Sequence, residues 1–352
     1  MSTDHGTDVL SGIYVSGDLL EVIVSTLDAK ELAIVSQVSK ATLHAAQAVA
    51  TSKSRALAES LGCADRKLAA WAPGAATERR LRCLREWELV EEHNLTHLRA
   101  DKLDPVANPR NGRTVAWKCH GHMGAFAIFQ SLERPTAASY VQNGRHAIRF
   151  LHDTAPAIVR MDGLQMLHRV PPPQQPITMM VVADAHGDCT ISDNCFAAAQ
   201  TDNGGSLTSF ELCHGYPSVG DADRDHPRVC MHAGPGTYLR GTTRSNTGWH
   251  VYSCIFDGAN SELRVDGVLE ASGDAGSNPL SGLIIGRNRD LRSWPLIGSL
   301  AEHRVFNHRL ATHQREALEV SLARRYGLPH PALQQDEEED ERPTAKRQRR
   351  AE

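Results

Sequence analysis

Gly248-Trp249-His250-Val251-Tyr252-Ser253-Cys254-Ile255-Phe256-Asp257-Gly258, followed by Glu262-Leu263-Arg264-Val265-Asp266-Gly267-Val268, is the stretch that decides the fold. In the second run Leu263 and Val265 share one side, and Glu262, Arg264 and Asp266 share the other. That is the two-residue period of a strand in a sheet with one wet face. Asp266-Gly267 closes a hairpin, because glycine accepts the positive φ that a tight turn needs. Gly282-Leu283-Ile284-Ile285-Gly286 and Ile297-Gly298-Ser299-Leu300-Ala301-Glu302 read as further strands. From Thr312 the spacing becomes helical, burying Ala317, Leu318 and Leu322, and Gly327 with Pro329 ends the helix. Residues 248–328 thus read as the closing half of a β-sandwich with one packing helix.

Working outward, the same short-strand rhythm extends back to about residue 105. Thr114 to Cys119, His146 to Phe150, Ile177 to Ala183, Ser209 to Cys213, Val229 to His232 and Thr237 to Arg240 are the candidate strands. Asn143-Gly144, Asp202-Asn203-Gly204-Gly205 and Pro171-Pro172-Pro173 separate them as turns. Such spacing suggests a two-sheet sandwich or jelly roll. Pro105 to Pro109 marks the expected domain boundary. Here the residues carry a resemblance. Asn143-Gly144-Arg145-x-Ala147-Ile148-Arg149-Phe150, Pro176 to Ala183 and the ordered glycine and Asp-Gly turns of the opening stretch resemble the concanavalin A-like, laminin-G-like jelly roll. The resemblance spans roughly 105–330 and implies a recognition module for protein or glycan.

The 352 residues leave room for about two domains. Hydrophobic residues at 41% and charged residues at 23% are ordinary for a globular chain. A net charge of −4 argues against a general nucleic-acid-binding protein. The N-terminus, Met1-Ser2-Thr3-Asp4-His5-Gly6, has no basic segment leading into an apolar core. The most apolar run, Ile177 to Ala183, is too short to span a bilayer, so no membrane partner is expected. The eight cysteines show no C-x-x-C pair and read as reduced thiols of an intracellular protein, nuclear or cytoplasmic.

Residues 1–12 are polar and expected to be disordered. A helical module follows over 13–55. Leu19, Leu20, Ile23 and Leu27 have helical spacing, and Asp28 with Glu31 forms a capping-box pattern for a second helix. That helix carries Leu32, Val35 and Val38 on one face. The run Leu19-Leu20-Glu21-x-Ile23-x-Ser25-x-Leu27-Asp28-Ala29-Lys30-Glu31-Leu32 through Val38-Ser39-Lys40 resembles an F-box. In that family such a module docks on the adaptor subunit of a cullin-based ubiquitin ligase. The resemblance implies an adaptor surface made by Leu19, Leu20, Ile23, Leu27, Leu32, Val35 and Val38. Val15-Ser16 stands where the family has Leu-Pro, and Ala41-Thr42-Leu43 replaces its usual aromatic. Without the family, the same residues make a generic helical hairpin. Residues 56–104, rich in Arg and Glu among Leu and Trp, read as a helical spacer.

The tail, 331–352, pairs the acidic block Asp336 to Glu341 with the basic block Lys346-Arg347-Gln348-Arg349-Arg350. Neither block can bury apolar surface, so the tail is expected to be disordered. Lys346, Arg347, Arg349 and Arg350 form a nuclear-import candidate, with a solubilising tail as the plainer alternative.

Catalytic and metal signatures were sought in the sandwich. A retaining glycosidase needs two carboxyl groups about 5–5.5 Å apart. Glu262 and Asp266, four apart on one strand face, are roughly 13 Å apart at about 3.3 Å per residue. Cys119-His120-Gly121-His122, Cys213-His214 and Cys230-Met231-His232 lack the paired spacing of a zinc site. Asp221, Asp223 and Asp225 alternate as calcium ligands do, but without the EF-hand glycine and terminal glutamate. No cofactor is therefore expected. Trp249 and Trp294 are the aromatic residues available to stack on a sugar, although Trp249, at a strand start, reads first as core.

The sequence as a whole thus reads as a non-catalytic binding protein in an α+β multidomain chain. Its main reading is an F-box-type recognition subunit that carries a protein client or glycan. The alternative is a lectin-like carbohydrate-binding protein with no ligase role, and the less favoured one a glycoside hydrolase.

Overall fold

The computed structural model describes side chains at residues 48–49, 52–53, 55, 90, 93–100, 142–150, 173–185, 196–197, 210–215, 227–234, 236, 238–245, 247–280, 282–286 and 296–334, and backbone alone at 116–118, 126–129, 136–141, 157–160, 194–195 and 198. The adaptor candidates Leu19 to Val38 and the basic block 346–350 lie outside the described residues. The chain divides into two compact units, Met1–Leu89 and Val90–Glu352. In the first, residues 48–49, 52–53 and 55 are helical and Val49 is buried.

The second unit is an antiparallel β-sandwich. One eight-stranded sheet holds β1 (Asn94–Arg99), β4 (Thr136–Gln142), β5 (Arg145–Phe150), β7 (Ile177–Ala185), β12 (Trp249–Phe256), β13 (Ser261–Val265), β14 (Val268–Gly273) and β16 (Gly298–Phe306). Its order is β14-β13-β12-β7-β16-β5-β4, with β1 pairing β16. The other holds β2 (Ala116–Lys118), β3 (Phe126–Phe129), β6 (Ala157–Arg160), β8 (Asn194–Ala198), β9 (Glu211–His214), β10 (Arg228–His232), β11 (Leu239–Arg244) and β15 (Ile284–Ile285). Its order is β11-β10-β9-β8-β15-β6-β3-β2. Consecutive strands pair as hairpins at the sheet edges, whereas β12-β7, β7-β16, β16-β5 and β1-β16 in the first sheet and β8-β15, β15-β6 and β6-β3 in the second are crossovers between strands that are not consecutive.

The core lies between the sheets. Ile148, Phe150, Met179, Val181, Tyr252, Cys254 and Phe256 face Phe196, Phe210, Leu212, Val229 and Met231. Phe210 and Phe256 have ring centroids 4.0 Å apart, which ties the two layers directly. In β7, Ile177, Met179, Val181, Ala183 and Ala185 belong to this core. Alternation then turns Thr178, Met180, Val182 and Asp184 to the outer face. Those residues are buried too.

The outer face is covered by the C-terminal helix (Thr312–Tyr326), which is why β7 is buried on both faces and mostly apolar. This corrects the expectation that Glu262 and Arg264 stand on a wet face. Arg309 and Arg315 bind the Glu262 carboxylate, and Arg264 lies 3.8 Å from the fully buried Glu319 of the helix. The polar alternation of β13 is real, but the helix meets it with matching charges.

The helix ends as its sequence dictates. Gly327 is left-handed (φ 64°), and Leu328 N–H returns to Ala323 O at 2.8 Å. Gln142 and Asn143 side chains donate to the last carbonyls, of Tyr326 and Arg325. The β13–β14 turn has Asp266 at φ 49° and Gly267 at φ 80°, the paired positive values of a type I′ hairpin. A Cβ on Gly267 would strike the His330 ring, so the segment after the helix is seated on that turn.

The second unit begins before the expected Pro105–Pro109 break. Residues 94–99, placed in the helical spacer from the sequence, form β1. The reason is the Glu302 carboxylate on β16. It accepts hydrogen bonds from His97 Nε2 (2.8 Å), Arg304 Nε (2.8 Å), Arg325 Nη1 (2.6 Å) and Tyr326 Oη (3.0 Å), at 1% exposure. Burial alone would raise this carboxyl. Arg304, His97 and Arg325 outweigh burial and hold it well below the usual range. A buried carboxylate needs such a set of donors, and only a strand at 94–99 can supply His97.

Two expectations follow from this packing. Glu302→Gln removes the buried anion that Arg304 and Arg325 both reach and should cost about 3–5 kcal/mol in urea unfolding. A loss under about 1 kcal/mol would show that the cluster is solvated. His303 is the opposite case. It is opposed to Val181 and Leu98 in register, is fully buried, and neither ring nitrogen has a hydrogen-bond partner. Burial, then the nearby His97, lowers its pKa to about 3. A depressed folded pKa means stability that is full above the unfolded value of 6.5 and is lost as pH falls toward about 3. His303→Leu should therefore raise the melting temperature at pH 5 more than at pH 8; an equal change at both would contradict the assignment.

Candidate functional site

One end of the sandwich, where β12 begins and β7 finishes, gathers polar side chains on both faces of the first sheet. On the inner side, His250 Nδ1 lies 2.6 Å from Asp266 Oδ2, and His250 Nε2 lies 2.8 Å from Thr247 Oγ1. Asp266 Oδ1 accepts the Val251 N–H at 2.9 Å, which fixes the carboxylate. Thr247 also donates to Arg244 O at 2.7 Å. Asp266 reaches this position because its turn geometry aims it back at the start of β12. The chain of carboxylate, imidazole and hydroxyl fixes the orientation of the His250 ring and of the Thr247 hydroxyl. Thr247 itself is exposed.

Behind it is a second, buried pair. Tyr252 Oη lies 2.9 Å from His214 Nε2, and His214 Nδ1 lies 3.1 Å from Pro227 O. The carbonyl can only accept, so Nδ1 carries the hydrogen and Tyr252 donates to Nε2. Burial lowers the His214 pKa to about 4, against the Pro227 hydrogen bond that raises it. Burial, with Asp266, Asp184 and Glu270 nearby, pushes the Tyr252 phenol well up. Both groups are neutral at pH 7 and bridge the two sheets.

On the outer side the register aligns four residues in a row across four strands. Trp249 opposes Asp184, Asp184 opposes Ser299, and Ser299 opposes Arg149. Directly opposed residues share a face. Their strand neighbours Ala183, Ala185, Leu300, Ile148 and Phe150 are in the core, so this row points outward. Three inter-strand spacings of about 4.8 Å make it about 14 Å long. Arg149 is exposed, Trp249 is half-buried, and Asp184 and Ser299 form the floor at 6% and 0% exposure. Ser299 Oγ is buried without a hydrogen-bond partner. The accessible groups of the row are the aromatic face of Trp249 and the guanidinium of Arg149, at its two ends.

The sequence-derived candidates divide clearly. Trp249 is outward rather than core, because Tyr252, Cys254 and Phe256 take the inward positions of β12. Trp294, Cys119 to His122 and Asp221 to Asp225 lie outside the described residues. Glu262 is engaged by Arg309 and Arg315, and Asp266 by His250, so each carboxylate serves a structural partner. His214 turns inward to Tyr252, whereas the alternation of β9 turns Cys213 the other way, so adjacent residues cannot share a metal. Among the described residues no group of three His, Cys, Asp or Glu side chains could hold a metal ion. None of their helices is long and apolar enough to cross a membrane. The row across β12, β7, β16 and β5 was not foreseen, since it depends on pairing between strands more than 30 residues apart on average, a feature no local window contains.

No known protein-family profile matches the chain, and no curated protein matches it in sequence. Solved structures similar to it include domain 4 of an extracellular arabinanase from Geobacillus stearothermophilus, in complex with arabinotriose, at 13% identity and a TM-score of 0.40. That alignment covers 65% of this chain and 98% of the other. The receptor-binding domain of botulinum neurotoxin D aligns at 12% identity and TM-score 0.43, over 67% of this chain and 54% of the toxin domain. The CBM40 of a Ruminococcus gnavus sialidase, bound to α2,3-sialyllactose, aligns at 13% identity and TM-score 0.31, over 41% of this chain and 80% of the other. Identities this low and superpositions this partial transfer no site to the chain.

The Tyr252–His214 bond is testable by itself. Tyr252→Phe removes the donor and leaves His214 Nε2 buried and unpaired, at a cost of about 1–3 kcal/mol. Adding His214→Leu should recover part of that loss in urea unfolding; a fully additive double variant would refute the coupling.

Proposed function

We propose that the β-sandwich is a carbohydrate-binding module whose sugar-contacting groups are Trp249 and Arg149, the two accessible ends of the row Trp249–Asp184–Ser299–Arg149. The single observation that carries this reading is the register that lines these four residues up on one sheet face. Sugars present an apolar ring face edged by hydroxyl groups. Trp249 offers a stacking surface and Arg149 a cationic donor, while Asp184 and Ser299 lie buried between them. The row is short enough for an oligosaccharide of a few units and lies on a rigid strand scaffold rather than on loops. The arabinotriose and sialyllactose bound by the arabinanase and sialidase domains agree with this reading without identifying the sugar.

The F-box-like run Leu19 to Lys40 gives this reading a second part. The N-terminal module would bring a ubiquitin-ligase adaptor, and with it a cullin, to whatever the sandwich binds. Its support is the sequence resemblance alone. Co-precipitation of the full chain with the adaptor, lost on Leu20→Asp with Ile23→Asp, is the expected result; no association of the wild-type chain at micromolar concentration refutes it.

For the sandwich, a glycan array probed with the full chain should return one structurally related group of sugars. Trp249→Ala and Arg149→Ala should each weaken the best hit at least about tenfold, equivalent to about 1.4 kcal/mol. Leu269→Ser, on the exposed edge strand β14, should leave it unchanged. Binding that survives both Trp249→Ala and Arg149→Ala would place the site elsewhere.

A further inference from the structure

We propose that Cys213 and Cys230 are a dithiol that an oxidant converts into a cross-strand disulfide, making them a redox modification site of the sandwich. The two residues are directly opposed in the β9–β10 ladder. Their sulfurs lie 3.3 Å apart, and both are buried thiols not joined in a disulfide. Each also lies close to the Gly215 carbonyl, at 3.2 Å and 3.3 Å, so the two side chains already point to one spot.

Backbone geometry permits the bond. Gly215 N–H donates to Arg228 O at 2.8 Å, which makes Gly215 and Arg228 a hydrogen-bonded pair. Pairs alternate along an antiparallel ladder, so Cys213 and Cys230 form a hydrogen-bonded pair as well. Cα atoms of such a pair are about 5.5 Å apart, within the span of about 4.4–6.8 Å that disulfides use. Closing from 3.3 Å to about 2.05 Å requires side-chain rotation together with a small approach of the two strands, since opposed Cβ atoms lie about 4.5–5.5 Å apart and a disulfide holds them at about 3.5–4.5 Å.

Two other cysteines sharpen the assignment. Cys195 opposes Cys213 in the β8–β9 register, so three cysteines stand in line across β8, β9 and β10. Cys254 belongs to the core on the other sheet, where burial pushes its thiol far above the ordinary range and keeps it unreactive. Among the described cysteine side chains, the pair at β9–β10 has its sulfurs in contact.

The chemistry balances with a peroxide as oxidant. One thiol gives up its proton, and its sulfur attacks a peroxide oxygen. The O–O bond breaks, water leaves, and a sulfenic acid forms. The second thiol, on losing its proton, attacks that sulfur. The S–S bond forms, the S–O bond breaks and a second water leaves. Two electrons pass from the sulfurs to the peroxide. Because both thiols are buried, the oxidant gains access through local opening of β9–β10, and the reaction should be slow at low temperature.

The test uses the purified full chain, reduced and then exposed to hydrogen peroxide. Remaining thiols are alkylated under denaturing conditions, and the chain is digested without reductant and mapped by mass spectrometry. The expected result is one linked peptide pair joining Cys213 to Cys230, with Cys254 alkylated, and both thiols regained on adding dithiothreitol. Recovery of Cys213 and Cys230 as alkylated thiols, or of a Cys195–Cys213 link in their place, overturns the proposal. Cys230→Ala should abolish the link without removing alkylation of Cys254. The wild-type map decides the matter even where that variant folds poorly.

Discussion

The Glu302 carboxylate is the interaction on which the second unit depends. It sits on β16, a strand that pairs with β7, β5 and β1 and so joins most of the first sheet. Its four donors come from the first strand of the unit, from β16 itself and from the last turn of the C-terminal helix. Hydrophobic burial can hold a helix on a sheet in many registers. A buried anion cannot tolerate that freedom, because every displaced donor leaves charge unpaired in a low-dielectric site. Glu302 therefore fixes which turn of the helix meets which strand.

The same logic is repeated more loosely along the helix. Glu319 is fully buried, with Arg315 at 3.5 Å, Arg264 at 3.8 Å and His330 at 4.0 Å. These are ion-pair distances without hydrogen bonds, and both Glu319 oxygens lack a donor. Glu262 is held more tightly by Arg309 and Arg315. The helix–sheet interface is thus a layer of apolar residues crossed by a stripe of charges, tight at the Glu302 end and slack near the hairpin turn at Asp266 and Gly267.

Much of this was legible in the sequence where local rules decide it. The strand at 261–265, the Asp266-Gly267 turn, the helix from Thr312 and its stop at Gly327 follow from period, turn chemistry and capping. What stayed hidden depends on partners. Glu262 and Arg264 alternate as wet-face residues do, and only the arrival of a charged helix face makes them interior. Asn94 to Arg99 looked helical because its neighbours are, and His97 gives no local sign that a carboxylate more than 200 residues away requires it. Trp249 read as core because strand-start tryptophans often are, yet inward and outward positions on β12 are set by Tyr252, Cys254 and Phe256. The row from Trp249 to Arg149 exists only once four strands are in register.

The His97–Glu302 bond also sets a schedule. Its partners are 205 positions apart, and the helix that completes the cluster follows later still. During synthesis β1 leaves the ribosome long before either partner exists. At roughly 5–20 residues per second, its place in the sheet stays vacant for on the order of ten seconds or more. Long-range pairings of this kind form late and slowly, because the loop must close before any contact rewards it. β1 must therefore wait, unpaired, for β16, and its charge cluster is complete only with the helix that follows. Truncation from either end would strand the other half with an unmatched charge.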